Sequence, residues 1–440
     1  MTTHEDDAST RPEDPAARAE VDGIRWWSPY NAQVVTDRAG VQVDLIVSAF
    51  EREGMRIGVH HDEDGMVDYL CREATILTRD VDAPRVYRAL GIDGPVEKGD
   101  ERTPLQPSGL HVIPIEADRD VFSVLTELDA RLGVGVAVPD HVLHVCPKTL
   151  VTWCAATEPA PESVDADLVR STDGEADGRL TRVIVVDTGS RQDVIDAHSW
   201  LEGVTGEPEP PSVGHYTGHG TFVAGVVRTY APRAEVRIES ALPIGGAVFE
   251  SDLVRQLGDA LEQVPDVINI SAGTRTRRGL PLLSMQVFWE ERLRHLKGTV
   301  MVAAAGNDSD RGPFWPAAFP WVVSVGALDE AGEFRAGFSN HGSWVDVYAL
   351  GTEVVNAYPT GTYEYRETPL VGTSADFPEG TARWSGTSFA SPMVAGLIAA
   401  RMTWSGESAR TAAESLLQIA RGNAGPGVGA VLDAGSAARP

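Results

Sequence analysis

Short, nearly continuous apolar runs alternate with amphipathic segments over the last three fifths of the chain. The runs are TRVIVVD, DVINIS, GTVMVAAAG and WVVSVGAL. Such runs are typical of strands that are buried on both faces of a parallel sheet. Helical patterning lies between them, in ESDLVRQLGDALEQV and LSMQVFWEERLRHLKG. The alternation predicts an α/β fold: a mainly parallel sheet with helices on both faces and functional sites at the carboxyl ends of the strands.

The region before residue 155 has a different pattern and predicts a smaller α+β unit. MRIGVHH and MVDYLCR flank the turn sequence DEDG, which favours a β-hairpin. Further along, LHVIPIE and HVLHVCP predict strands on either side of the amphipathic helix DVFSVLTELDARL. We therefore expect an N-terminal α+β region over residues 21–154, with a compact βαβ arrangement at 110–146.

Two polar segments are predicted to bury little surface. Residues 1–20 hold six carboxylates, two arginines and no apolar run. They predict a disordered acidic tail and do not fit the apolar core of a secretory signal. Residues 155–178 are acidic and rich in Pro, Ser and Gly, which predicts a linker. The larger domain is then expected at 179–440.

Charge and cysteine usage narrow the partners and the compartment. The 440-residue chain carries a formal net charge of -27 and no basic cluster, so we expect neither nucleic acid nor an anionic membrane as a partner. No apolar run approaches the roughly 18 residues of a membrane span. Three cysteines, Cys71, Cys146 and Cys154, form no disulfide framework. The chain therefore predicts a cytoplasmic protein.

One cluster of metal-binding residue types lies in the predicted hairpin turn. Residues 60–64 read HHDED. Consecutive residues at a turn point in different directions, and no second ligand set is visible in the sequence. We therefore predict no metal site there.

Four residues suited to chemistry lie where the predicted elements begin or end. Asp187 closes TRVIVVD, Asn307 follows GTVMVAAAG, His219 stands in GHGTFVAGVV and Ser388 in WSGTSFASPMVAG. Singly, Asp187 fits a turn or capping residue, His219 a residue at a helix start and Ser388 a helix cap. Together they supply the nucleophile, base and orienting acid of acyl transfer. Asn307 adds an amide that could donate to an oxyanion.

In their order along the chain, DTG, GHGT.VAG, AAAGN and GTS.ASP resemble the motifs of the subtilisin-like serine proteases (subtilases). The resemblance covers about residues 179–440. It implies that Asp187 orients the base, His219 acts as general base and then acid, and Ser388 is the nucleophile. It also implies an oxyanion hole formed by Asn307 and the backbone N–H of Ser388.

The resemblance also implies how a substrate would lie. INISAG is similar to the family strand that pairs with extended substrate, here through Ser271, Ala272 and Gly273. Phe314 stands where small residues are usual near the pocket for the residue before the cut, which predicts a shallow pocket. Phe222 replaces a second histidine outside the triad. Because no insertion follows His219 in VVRTYAPRAEVRIESAL, we predict no specific calcium site and no required cofactor, although weak calcium binding stays open.

The expected function is that of a serine endopeptidase acting on extended polypeptide. The N-terminal region precedes the catalytic domain, where subtilases commonly carry a prodomain that chaperones folding and inhibits the site. HVLHVCPKTLVTW could then lead the chain across the Ser271–Gly273 edge. Two alternatives stay open. One is a latent effector or processing protease that a regulatory protein partner activates, and the other is a binding protein on a protease scaffold.

Overall fold

The computed structural model describes residues 32–92, 109–116, 118–145, 158–163, 180–367 and 370–437. The predicted tail at 1–20 lies outside these residues, as do Cys146 and Cys154. None of the described helices is both long enough and apolar enough to cross a membrane.

The N-terminal region forms an antiparallel sheet with helices packed on it. Its elements are α1 (Ala32–Arg52), β1 (Ile57–His61), β2 (Val67–Arg79), α2 (Ala83–Leu90), β3 (Leu110–Pro114), α3 (Val121–Leu132) and β4 (Ala137–Val145). The long strand β2 is central, because β1, β3 and β4 all pair with it antiparallel. This confirms the predicted hairpin and the predicted strand, helix and strand at 110–146. Four apolar residues of α3 face the core: Val121, Val124, Leu125 and Leu128.

The next described residues, 158–163, contain the short strand β5 (Ala160–Pro161). The larger domain then follows. Its first half comprises β6 (Arg182–Asp187), α4 (Gln192–Ala197), β7 (Thr205–Gly206), α5 (His219–Tyr230), β8 (Glu235–Ser240), β9 (Ala247–Phe249), α6 (Glu250–Leu261), β10 (Val267–Ile270), β11 (Ala272–Gly273) and α7 (Leu283–Glu291). Its second half comprises β12 (Val300–Ala304), β13 (Val322–Leu328), β14 (Val347–Leu350), β15 (Val354–Ala357), β16 (Gly361–Glu364), β17 (Ser374–Phe377), β18 (Thr381–Trp384), α8 (Thr387–Ser405), α9 (Ala409–Gly422) and α10 (Ala434–Ala437).

A seven-stranded parallel sheet is the centre of the larger domain. Its strand order is β14-β13-β12-β10-β6-β8-β7. The four predicted apolar runs are β6, β10, β12 and β13, so the predicted α/β fold class is confirmed. Side chains of β6 alternate between two cores. Val183 and Val185 join the core beneath α5 and α8, whereas Ile184 and Val186 join the core beneath α6 and α7.

Strand β4 connects the two regions. Its last residues pair antiparallel with β9 on one edge, through Val142 and Phe249, and with β11 on the other. In the second ladder Val145 lies opposite Ala272 and His144 lies opposite Gly273. The Ser271–Gly273 edge, predicted to receive substrate, is therefore paired with the chain's own N-terminal region.

Residues 158–163 correct the expectation that the whole segment 155–178 buries little surface. Strand β5 pairs antiparallel with β18, with Ala160 opposite Arg383 and Pro161 opposite Ala382. The Glu158 residue is only 9% exposed. The pairing of this segment with β18 cannot be predicted from amino-acid composition. A short extended segment needs only a free strand edge and one buried polar contact to bind.

Candidate active site

Asp187 and His219 meet at the carboxyl end of the parallel sheet. Asp187 is the last residue of β6 and His219 is the first residue of α5. The Oδ1 of Asp187 accepts hydrogen bonds from His219 Nδ1 at 2.7 Å and from the Thr188 amide at 2.8 Å. Because a carboxylate can only accept, Nδ1 carries the proton and Nε2 is left to take up another. Both side chains are buried.

Ser388 lies in the first turn of α8. The N-cap position of this helix is Gly386 and Ser388 is its second residue, so the interpretation of Ser388 as a capping residue is wrong. Its hydroxyl donates to the Ser271 carbonyl at 3.3 Å. The rings of Trp384 and Phe389, on either side of Ser388 in sequence, lie 5.3 and 5.5 Å from the His219 ring. Residues on both sides of the serine in sequence therefore pack against the imidazole, while the serine hydroxyl itself is turned towards Ser271.

Asn307 is oriented by the residue before the serine. Its Oδ1 accepts hydrogen bonds from both the amide and the hydroxyl of Thr387, each at 2.9 Å. Since these bonds fix which end of the amide faces α8, Nδ2 is directed away from Thr387. The first turn of α8 also presents backbone N–H groups and the positive end of the helix dipole. This corner of the site is therefore suited to negative charge.

Ser271 connects β10 to α8, the helix that carries Ser388. Its hydroxyl accepts a hydrogen bond from Asn269 Nδ2 at 3.0 Å and donates to the Ser388 carbonyl at 2.8 Å. The Ser271 side chain thus faces the interior and holds α8 in place. The edge that was predicted to bind substrate therefore consists of the backbone of Ser271 and the two residues of β11.

Phe314 fills the space next to that edge. It is 3% exposed, and a Cβ atom placed on either Gly273 or Gly306 would collide with its ring. The neighbouring residue Trp315 exchanges backbone hydrogen bonds with Thr274 at 2.8 and 2.9 Å. The ring is therefore fixed between β11 and the loop that carries Asn307.

Glu209 was not predicted, yet its contacts converge on His219. Its Oε1 accepts hydrogen bonds from the Gly218 amide at 2.8 Å and from the Thr188 hydroxyl at 3.0 Å. The Thr188 hydroxyl in turn accepts from the Gly220 amide at 3.0 Å. Burial raises the pKa of the Glu209 carboxyl to about 7, because removal from water disfavours the carboxylate. Within EPEPP, nothing in the sequence distinguishes Glu209 from Glu207.

Two other residues that the sequence analysis singled out, His60 and Phe222, pack against aromatic side chains. The His60 ring stacks on Tyr69 at 4.6 Å, and among the described residues no group of three or more His, Cys, Asp or Glu side chains could hold a metal ion. Phe222, in place of the second family histidine, packs against Trp384 and Phe389 with ring centroids 5.6 and 4.8 Å away. It therefore supports the same aromatic group that surrounds His219.

Known proteins resemble this chain in sequence and in fold. The sequence model of the Subtilase family matches residues 178–428. The thermophilic serine proteinase of Bacillus sp. (strain AK1) is 28% identical over 298 residues, which cover 64% of this chain and 66% of that protein. Thermitase of Thermoactinomyces vulgaris is 28% identical over 247 residues, covering 53% of this chain and 78% of thermitase.

Among solved structures, fervidolysin from Fervidobacterium pennivorans, a keratinolytic enzyme related to subtilisin, aligns with a TM-score of 0.58 and 20% identity. The alignment covers 87% of this chain and 63% of fervidolysin, and at this identity it concerns the fold alone. The chain spans just under two thirds of the length of fervidolysin and of the thermophilic serine proteinase. Since the family model matches more than half of the chain and includes Asp187, His219, Asn307 and Ser388, the chain belongs to the subtilase family of serine proteases.

Proposed function

We propose that the chain is a serine endopeptidase whose catalytic residues are Asp187, His219 and Ser388. The observation that carries the proposal is the buried 2.7 Å hydrogen bond from His219 to Asp187, in a site where Trp384 and Phe389, close to Ser388 in sequence, pack against the His219 ring. A serine hydroxyl is a weak nucleophile until a base removes its proton, and the orienting carboxylate keeps that base in the right tautomer.

In the first half of the reaction, Ser388 Oγ attacks the peptide carbonyl carbon and its proton passes to His219 Nε2. The oxyanion that forms receives hydrogen bonds from Asn307 Nδ2 and the Ser388 amide. The C–N bond then breaks, and His219 gives its proton to the leaving amine. In the second half, water loses a proton to His219 and attacks the acyl-enzyme. Collapse of the resulting tetrahedral intermediate breaks the bond between the acyl carbon and Ser388 Oγ, which takes the proton back from His219, and the carboxylic acid is released.

The proposed substrate is an extended polypeptide that pairs with β11, in the way that strand addition binds peptides elsewhere. The pairing of His144 and Val145 with this edge supports the further proposal that the N-terminal region restrains the enzyme. A substrate strand and β4 would compete for the same backbone N–H and C=O groups of β11. A regulatory protein partner that displaces β4 would then activate the enzyme.

Labelling with a fluorophosphonate probe tests the catalytic assignment, because the probe reacts only with an activated serine. We expect labelling of the wild-type chain after the N-terminal region is released, and none for Ser388→Ala, which removes a single oxygen. Ser391→Ala is the matched control, because Ser391 lies in the same helix and its hydroxyl contacts Ser271 at 3.2 Å. The assignment would be overturned if Ser391→Ala alone lost labelling, or if both variants were still labelled.

Cysteine usage supports a proposal about location. Three cysteines in 440 residues, one of them the buried free thiol of Cys71, suit a reducing compartment such as the cytoplasm. Recovery of the protein from the cell exterior by fractionation would contradict this.

A further inference from the structure

Besides the pairing of β5 with β18, residues 158–163 are held by the buried carboxylate of Glu158. The Glu158 side chain is 6% exposed and the His215 side chain beside it is 8% exposed. The Oε1 of Glu158 lies 3.1 Å from His215 Nε2 and accepts a hydrogen bond from the Tyr363 hydroxyl at 3.3 Å. Burial raises the pKa of Tyr363, so its hydroxyl keeps the proton that it donates.

Backbone groups complete the pocket around this carboxylate. The Arg366 amide donates to Oε1 at 2.6 Å and the Glu367 amide donates to Oε2 at 3.1 Å. Two successive amides, one for each oxygen, form a concave anion-binding surface of the kind that backbone nests provide. With the phenol and the imidazole, the pocket offers donors from two separate parts of the larger domain, and it matches a carboxylate in particular.

The segment that fills the pocket pairs with a different strand from the one that β4 pairs with. Residues 144 and 145 pair with β11, whereas residues 160 and 161, later in the chain, pair with β18. Strand β18 ends at Trp384, whose ring contacts His219. A chain that enters along β11 and continues past Ser388 therefore reaches β18 after the cleavage point, which is the leaving-group side of a substrate.

Open space beside the pocket would admit such a chain. A cavity of about 780 Å³ shares His215, Tyr363 and Arg366 with the Glu158 pocket, and Arg52 and Arg191 also line it. Glu364 lines the cavity as well and pairs with Arg366 at 2.8 Å, and Arg191 pairs with Asp193 at 2.7 Å. The cavity is therefore lined by charges of both signs, and the preference for a carboxylate depends on the donors of the Glu158 pocket.

We propose that the Glu158 pocket is a specificity subsite for an acidic side chain on the leaving-group side of the substrate, occupied in this structure by the protein's own Glu158. This inference rests on the proposed protease function for its biological meaning, but the pocket's affinity for carboxylate does not depend on catalysis. When residues 158–163 leave β18, a substrate strand takes their place and its Glu or Asp enters the pocket.

Peptide binding to the full-length chain tests the proposal without any turnover. The probe is the fluorescent peptide TEPAPES, which repeats residues 157–163, with TQPAPES as its matched control. In the Ser388→Ala chain that also carries Glu158→Gln, we expect TEPAPES to bind at least tenfold more tightly than TQPAPES. In the Ser388→Ala chain that retains Glu158, the tethered segment has a high effective concentration, so TEPAPES should bind at least tenfold more weakly.

Tyr363→Phe, added to the Glu158→Gln chain, keeps the ring and removes one donor, and it should reduce the preference for TEPAPES over TQPAPES. If Glu158→Gln lowers the melting temperature and neither peptide binds, the pocket is only an internal anchor and the proposal is wrong. Equal binding of both peptides would also overturn it. Failure of the proposed protease function would appear instead as absent fluorophosphonate labelling, which leaves these binding results unchanged.

Discussion

At the scale of single residues, each proposed catalytic group is held by a neighbour that takes no part in the chemistry. Thr387 fixes the amide of Asn307. Glu209 binds the amide of Gly218, next to His219. Such contacts keep reacting groups within a few tenths of an ångström of a productive position, which is a large part of what a preorganised site provides.

Asn307→Ala tests the oxyanion hole. The variant loses the Nδ2 donor, so we expect kcat to fall by about 10² to 10³ with little change in KM. That magnitude is the one known for subtilisin, a member of the same family. Asn307→Asp is the matched variant, because it keeps an oxygen for Thr387 and still lacks the donor. A rise in KM at unchanged kcat would place Asn307 in substrate binding instead.

Phe314 should determine the size of the residue before the cut. Because its ring fills the space between Gly273 and Gly306, we expect peptides with Ala, Ser or Gly at that position to be cleaved faster than those with Phe or Tyr. Phe314→Ala should reverse the order of kcat/KM. Phe319→Ala is the control, since Phe319 is equally buried and packs on Trp315 at 4.5 Å. A wild-type preference for large aromatic residues would exclude this role.

At the scale of elements, the strands that the sequence predicts best are those with both faces buried. In β6, β10, β12 and β13 nearly every position is apolar or small, apart from Arg182, Asp187 and Asn269, so the signal is almost continuous along the chain. Strand β5 has no such signal, because its two residues are held by an exposed strand edge and by Glu158. Likewise, the motifs identify Asp187, His219 and Ser388 as candidates, but Glu209 depends on backbone amides that only the folded chain brings together.

Strand β4 should dock in a pH-dependent way through His144. Burial lowers the pKa of His144 to about 4 from an ordinary value of 6.5. The docked state then binds fewer protons than the released state between these values, so stability is lost as the pH falls from 6.5 towards 4. In the Ser388→Ala background, we expect the melting temperature to fall between pH 7.5 and 5, and to fall less in His144→Gln.

Asp140 in the same strand provides a control of opposite sign. Burial raises the pKa of its carboxyl to about 7, so its contribution to stability is lost as the pH rises from 3.8 towards 7. Asp140→Asn removes a group that stabilises the folded state at low pH. The fall in melting temperature between pH 7.5 and 5 should therefore be larger in this variant than in the Ser388→Ala chain. Identical pH profiles for wild type and His144→Gln would show that β4 docking is insensitive to this histidine.

At the scale of the whole molecule, the N-terminal region should act as an inhibitor that is held by its contacts and not only by its covalent connection. Two strand ladders, β4 with β9 and β4 with β11, join it to the larger domain. Charged side chains add to them, since Arg72 lies 2.5 Å from Asp252 and Arg79 lies 2.7 Å from Glu290. Cutting the chain between the two regions leaves all of these contacts in place.

A cleavage site for an unrelated sequence-specific protease, inserted between residues 164 and 179, tests this arrangement. After cutting, we expect hydrolysis of a chromogenic peptide to stay low at high protein concentration and to rise on dilution, because the two pieces then separate by mass action. Adding back the isolated N-terminal piece should restore inhibition, and adding a version with Arg72→Ala and Arg79→Ala should require a higher concentration. Full activity in the uncut chain, or activity after cutting that is independent of dilution, would mean that pairing with β11 does not restrain the enzyme.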